Sequence, residues 1–245
     1  MTQVRTEPDP PARALVISAH PDDIEFVCAG TVAKWVKAGS EVRYVVATRG
    51  DAGTHRRGVT REELARTREA EQRAAARVVG VEEVVFLGYR DGEVTPSLEL
   101  RRDIVREIRR FRPTIAVCYD PTRLFVGGSY VNHPDHRAVA QAALDALSPT
   151  SAMPLAFQEQ IEEGLEPYRV RHILVASTDH PDTWVDIEST LELKIEALRQ
   201  HVSQFDGRRD FESMVRAWAA ETGAHVGIRY AEAYRSIIRP PDNEH

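Results

Sequence analysis

Three short stretches of this chain crowd histidine and aspartate around a proline: SAHPDD at 18–23, NHPDH at 132–136 and DHPDT at 179–183. Such a turn needs no function, because proline fixes its own φ, extends the residue before it, and aspartate favours turn starts. The same imidazole nitrogens and carboxylate oxygens are also the donors of a catalytic zinc site, which takes three protein ligands and keeps a fourth position open for water. His20 and Asp23, three residues apart around the Pro21 turn, could supply two. The second stretch could supply a third, since Pro134 suits the first position of a helix and sets His133 and His136 one turn apart at its mouth. One histidine of that pair and one aspartate of the first stretch are then left for proton transfer and carbonyl polarisation. Cys28 and Cys118 are the two cysteines, one in a helical pattern and one inside an apolar strand run. They read as reduced thiols of a cytoplasmic protein, so a metal here would use nitrogen and oxygen.

Loops can converge only if the elements between them bring them together. Apolar runs of strand length alternate with longer helical patterns: ALVISA (14–19), a helix near 27–38 stopped by Gly39, VRYVVAT (42–48), then REELARTREAEQRAAARVV stopped by Gly80. VVFLG (84–88), a helix near 97–111, TIAVCY (114–119) and HILVAS (172–177) continue the series, with WVDI (184–187) as a possible short strand. The pattern from about 188 onward reads as helical. Alternation of this kind predicts an α/β, Rossmann-like fold: a mostly parallel sheet flanked by helices on both faces. Ligands of open α/β sheets bind outside the carboxyl ends of the strands where strand order reverses, between the first and fourth strands in the usual order. SAHPDD follows the first strand and the NHPDH loop the fourth, so the two should meet in one crevice. DHPDT follows a strand displaced from that point, and His180 reads as part of a surface turn.

The chain has 245 residues, 42% hydrophobic and 29% charged, enough to bury the core of one α/β domain spanning 1–245, with residues 1–12 as a polar, proline-rich and flexible start. A net charge of −6 gives no global reason to bind nucleic acid, and the arginines of THRRG and REIRRFR read mostly as solvated helix faces. No stretch approaches the ~20 apolar residues of a membrane span, and the start lacks the apolar region of a signal peptide. RGDAG (49–53) lacks the spacings of a phosphate loop and reads as a mobile rim loop. His201, His225 and His245 stand alone in helical or tail contexts.

AHPDD after the first strand and HPDH after the fourth resemble the zinc-dependent de-N-acetylases of the PIG-L or LmbE-like family. The likeness extends to the arginine–glutamate helix with Arg68 and Glu71, to FLGYRDGEV, and to EPYRVRHILVASTDHPDTWVDI followed by LELKIEALRQHVSQF. These later stretches look most like the chitobiose-type deacetylases. The resemblance implies that His20, Asp23 and His136 bind Zn2+ and that Asp22 is the general base. It implies further that His133 stabilises the tetrahedral oxyanion with Asp135 orienting it, and that Arg68 and Asp91 contact a sugar. It favours a homo-oligomer, a trimer or a dimer of trimers. The expected reaction is removal of acetyl from an N-acetylglucosamine unit of a small saccharide or glycoconjugate. The rivals are hydrolysis of another acylated amine, such as an antibiotic or thiol conjugate, and an inactive carbohydrate-binding protein. A pure binder has no need of a water-activating carboxylate, which counts against the last.

Overall fold

A computed structural model describes residues 7–127, 130–205 and 210–240. β1 (Arg13–Ser18) is followed by a short α1 (Asp23–Val27) that was not expected and, across Cys28, by α2 (Ala29–Lys37), which lies where a helix near 27–38 is expected. Gly39, at φ 95°, turns the chain into β2 (Glu41–Thr48). α3 (Arg61–Val78) starts at Thr60 with a capping box, its hydroxyl accepting from Glu63 N while the Glu63 carboxylate accepts from Thr60 N. β3 (Glu83–Tyr89), α4 (Leu98–Phe111) and β4 (Ile115–Tyr119) follow. A small hairpin of β5 (Phe125–Val126) and β6 (Tyr130–Val131) then leads into α5 (Pro134–Leu147), with proline at the first helical position as expected. A 3₁₀ turn (Thr150–Ala152) and α6 (Gln158–Glu162) precede β7 (His172–Ala176) and β8 (Thr183–Asp186). α7 (Leu191–Arg199), α8 (Val202–Phe205), α9 (Phe211–Ala224) and β9 (Ala231–Ile238) complete it.

Seven strands form one sheet in the order β3-β2-β1-β4-β7-β9-β8. The first five are parallel, and β9 runs antiparallel to both β7 and β8. Strand order therefore reverses between β1 and β4, which pair directly through Ala14–Ile115 to Val16–Val117. Alternating side chains of β1 feed two cores: Ala14 and Val16 pack on the α2, α3 and α7 side, Leu15 and Ile17 on the α4 and α5 side. β9 corrects the expectation of a helical C-terminal part from 188 onward. AEAYRSII alternates inward and outward side chains, and it supplies the antiparallel strand that joins β8 to the sheet.

One buried ion pair ties this added strand to the first helices. The Glu232 carboxylate accepts from Lys194 Nζ at 2.6 Å, from the backbone N–H groups of Gly30 and Thr31, and from the hydroxyls of Thr31 and Tyr234. Removing one partner leaves the other charge buried and unpaired. Glu232→Ala is accordingly expected to cost about 3–5 kcal/mol of stability, read as a lowered urea midpoint. A midpoint unchanged from the parent would show that the pair contributes no net stability.

Candidate active site

His20, Asp23 and His136 meet at the reversal of strand order, although 116 residues separate the two histidines. His20 Nδ1 lies 3.3 Å from His136 Nε2, His136 Nε2 lies 3.0 Å from Asp23 Oδ1, and His20 Nδ1 lies 3.5 Å from Asp23 Oδ2. Zinc–ligand bonds of ~2.0–2.1 Å put donor atoms about 3.3 Å apart at the corners of a tetrahedron. The contacts run to different oxygens of Asp23, and the three groups bring nitrogen and oxygen donors close enough together to hold a cation. Asp23 is turned into place by the first loop itself, because its Oδ2 accepts from the backbone N–H groups of His20 (2.8 Å) and Ala19 (3.2 Å).

Each imidazole has its other nitrogen engaged from behind, the arrangement that fixes which nitrogen faces a metal. His20 Nε2 lies 3.1 Å from Asp135 Oδ2 and 3.2 Å from Asp91 Oδ1. His136 Nδ1 lies 3.1 Å from Asn132 Oδ1, and its ring stacks on Tyr119 with 5.2 Å between centroids. Burial alone would lower the pKa of His20, but hydrogen bonds to Asp135, Asp23 and Asp91 hold it well above the usual value. Burial likewise opposes the charge of Asp23, yet His136 and His20 bring its carboxyl well below the usual range. Three carboxylates around one imidazole favour positive charge at this point, which a proton or a cation can supply.

Asp22 stands beside the triad in a left-handed backbone conformation, φ 90° and ψ −25°. A non-glycine residue there costs about 1–3 kcal/mol and persists only when its surroundings over-determine it. Two residues one turn apart on α3 do so. Arg68 Nη2 donates to the Pro21 carbonyl at 2.7 Å and to Asp22 Oδ2 at 3.3 Å, and Gln72 Oε1 accepts from Asp22 N at 2.9 Å. Burial raises the Asp22 carboxyl to about 6, with the Arg68 charge opposing the rise and the Asp23 charge adding to it. A carboxylate of that strength is suited to accepting a proton near neutral pH.

His133 is the N-cap of α5 and is about one-third exposed at the mouth. Its Nδ1 accepts from the backbone N–H of Asp135 at 3.2 Å, so a neutral ring carries its proton on Nε2. Burial, followed by the charge of His20, keeps its pKa below the usual value. The Asp135 carboxylate, expected to orient His133, is 4.0 Å from His133 Nδ1. It serves His20 instead and also accepts from the N–H groups of Gly92 (2.7 Å) and Val94 (3.3 Å). The physical reason is the helix start: the backbone N–H of Asp135 already occupies His133 Nδ1, and its side chain points back across the crevice.

Arg68 and Asp91 are also at the site, but underneath it. Arg68 is 3% exposed and Asp91 6% exposed. Besides its bonds to Pro21 and Asp22, Arg68 donates to the Gly50 carbonyl at 3.2 Å, and Asp91 Oδ2 accepts from Ala52 N at 3.3 Å. RGDAG therefore lies at the rim, its backbone tied to both side chains, and Gln204 Nε2 adds a bond to the Gly53 carbonyl. His180 is exposed in the turn before β8 and belongs to neither group that could hold a metal, and His225 is exposed beyond α9. His245 falls outside the described residues. His201, read as a lone helical histidine, is buried with its Nε2 3.2 Å from Glu25 Oε2. Asn132, Gln72 and Glu25 carried no sequence signal as single residues. The i, i+4 relation of Arg68 to Gln72 is the one pattern that could have pointed to the second of them.

The sequence profile of the PIG-L family, described as GlcNAc-PI de-N-acetylase, matches residues 15–147, which run from β1 to the end of α5 and include every residue of the triad. The chain is 33% identical over 227 residues to a diacetylchitobiose deacetylase of Thermococcus kodakarensis, covering 92% of this chain and 83% of that one. It is 29% identical over 203 residues to a probable N-acetyl-alpha-D-glucosaminyl L-malate deacetylase of Bacillus anthracis, covering 78% and 80%. Its fold superposes on the N,N'-diacetylchitobiose deacetylase of Pyrococcus horikoshii with a TM-score of 0.86 at 33% identity, covering 93% of this chain and 84% of that one. A profile that spans more than half the chain, together with a relative of this identity across most of its length, establishes that the chain belongs to the PIG-L family of de-N-acetylases.

Proposed function

We propose that this chain is a zinc-dependent hydrolase, one catalytic domain, that removes acetyl from an N-acetylglucosamine unit of a small saccharide or glycoconjugate. The observation that carries the reading is the convergence of His20, Asp23 and His136 on contacts of 3.0–3.5 Å beside a strained, partly exposed Asp22. Bound at these three residues, zinc supplies a Lewis acid that polarises the amide carbonyl and lowers the pKa of water. Asp22 takes the proton of the attacking water and passes it to the departing amine, so that acetate and a free amino sugar result. His133 donates from Nε2 to the carbonyl oxygen as that oxygen gains charge. Asp135 and Asn132 hold the two ligand histidines in the tautomers that present Nδ1 of His20 and Nε2 of His136. Sugar binding by Arg68 and Asp91 belongs to this reading. A hydroxyl would compete for them with the backbone of Gly50 and Ala52.

The assay is acetate release from N-acetylglucosamine and its β-linked dimer, with and without chelator, beside a ringless acetamide. Release from the sugars, abolished by chelator and weak on the ringless amide, is expected, because a site built to pair hydroxyls leaves its own polar groups unpaired when they are missing. Equal efficiency on the ringless amide would favour the rival reading, hydrolysis of another acylated amine. The resemblance also favours a homo-oligomer, a trimer or a dimer of trimers. Two buried free thiols suit a cytoplasmic setting. Among the described residues no helix is long and apolar enough to cross a membrane.

A further inference from the structure

A line of buried polar side chains runs away from Asp22, and the chemistry just described does not use it. Gln72 and Glu25 are fully buried, as is His201. Gln72 Oε1 accepts from Asp22 N at 2.9 Å, Gln72 Nε2 donates to Glu25 Oε1 at 2.8 Å, and Glu25 Oε2 lies 3.2 Å from His201 Nε2. His201 sits at the junction of α7 and α8, and that junction is itself clamped to α3, because Glu71 accepts from Ser203 N and Ser203 Oγ at 2.7 Å each.

We infer that Gln72 is a positioning residue for the base Asp22, and that Glu25, backed by His201, fixes which way the Gln72 amide points. An amide side chain can present either its oxygen or its nitrogen to a neighbour. Asp22 N is a donor and requires the oxygen. The Glu25 carboxylate is an acceptor and requires the nitrogen. Each end thus enforces the other, and the only orientation that satisfies both holds the backbone of Asp22 in its left-handed conformation. Arg68 grips the Pro21 carbonyl before Asp22 and the Asp22 carboxylate itself, while Gln72 grips the Asp22 N–H between them. Without that third grip the residue is free to relax toward negative φ, which swings the carboxylate off the line to the reacting water. The inference rests on the assignment of Asp22 as the base.

The test reverses the polarity of the chain of bonds. In the double variant Glu25→Gln/Gln72→Glu, the carboxylate at 72 accepts from Asp22 N, the amide at 25 donates to it, and the net charge is unchanged. Gln72→Leu removes both bonds, and Gln72→Asn keeps the polar atoms on an arm one methylene too short. Three readouts are taken: metal per chain, kcat and KM on N-acetylglucosamine, and hydrogen exchange at the Asp22 amide. Both single variants are expected to keep the metal, to lose ten- to a hundredfold in kcat with KM within a few-fold of the parent, and to exchange the Asp22 amide faster. The double variant is expected to restore slow exchange and to bring kcat back within a few-fold of the parent. Where Gln72→Leu does not fold, Gln72→Asn carries the comparison. Unchanged exchange and kcat in the single variants, or no recovery in the double variant, would overturn the inference. A parent protein inactive on the sugar would sink the functional reading alone, since the exchange pattern still reports whether Gln72 holds Asp22.

Discussion

The Asp22→Asn protein is expected to bind its metal as the parent does and to turn over roughly 10²- to 10⁴-fold more slowly, the usual worth of a general base. The amide nearly matches the carboxylate in shape and can still accept from Arg68, so the left-handed turn and its contacts persist. What it cannot do is take a proton. The contrast with Asp23 sharpens the test, because the two aspartates are adjacent yet face different partners: Asp23 has its oxygens on His136 and the backbone of the first loop, Asp22 on Arg68. Single-turnover kinetics alongside metal analysis separate the two. Near-parental turnover in the Asp22→Asn protein would make Asp22 structural. His133→Ala belongs to the same experiment: it should also spare the metal and lower kcat by roughly 10²- to 10³-fold, the worth of one oxyanion donor. Loss of metal in that variant would exchange the roles of His133 and His136.

A still larger effect is expected from His136→Ala. The parent should carry about one divalent ion per chain, and this variant should carry none and fall to the activity of the chelated enzyme. Two donors from one loop, His20 and Asp23, remain, and two ligands are too few for a catalytic zinc site. Tyr119 loses its stacking partner and Asn132 its acceptor contact, so secondary-structure content and melting temperature must be recorded to show that the fold survives. Full occupancy in a folded His136→Ala protein would remove His136 from the ligand set and bring forward the other cluster around His20, which contains Asp91, His133 and Asp135.

The parallel strands were legible because they are buried on both faces and read as continuous apolar runs, as in ALVIS and IAVCY. β9 was not, since its half-exposed sequence follows a long helical stretch and its pairing with β7 and β8 spans tens of residues. The short α1 was equally hidden, because its five residues from Asp23 follow directly on the Pro21 turn and give too little length for a helical pattern. At the site, the histidines and aspartates of the two loops were legible by type and spacing, while the division of roles among them was implied by the family resemblance. Their supports were not legible: Asn132, Gln72 and Glu25 act through the direction of their hydrogen bonds, and nothing in a single sequence tells such a residue from an ordinary polar one. Asp135 shows the limit from the other side, for it stands two residues from His133 in sequence while its carboxylate serves His20 across the crevice.

The separation of His20 from His136 along the chain sets an order of assembly. His20 and Asp23 leave the ribosome more than a hundred residues before His136, and they gain their third partner only when β4 has docked on β1. The group of His20, Asp23 and His136 is complete only once both loops are in place, so a metal that needs all three would bind the folded sheet. Its binding energy then becomes folding energy: free metal at a hundred times its dissociation constant stabilises the native state by about 2.7 kcal/mol. If the proposed metal binds here, the apoprotein is expected to be folded but less stable than the metal-loaded protein, read as a melting temperature that rises with added divalent ion.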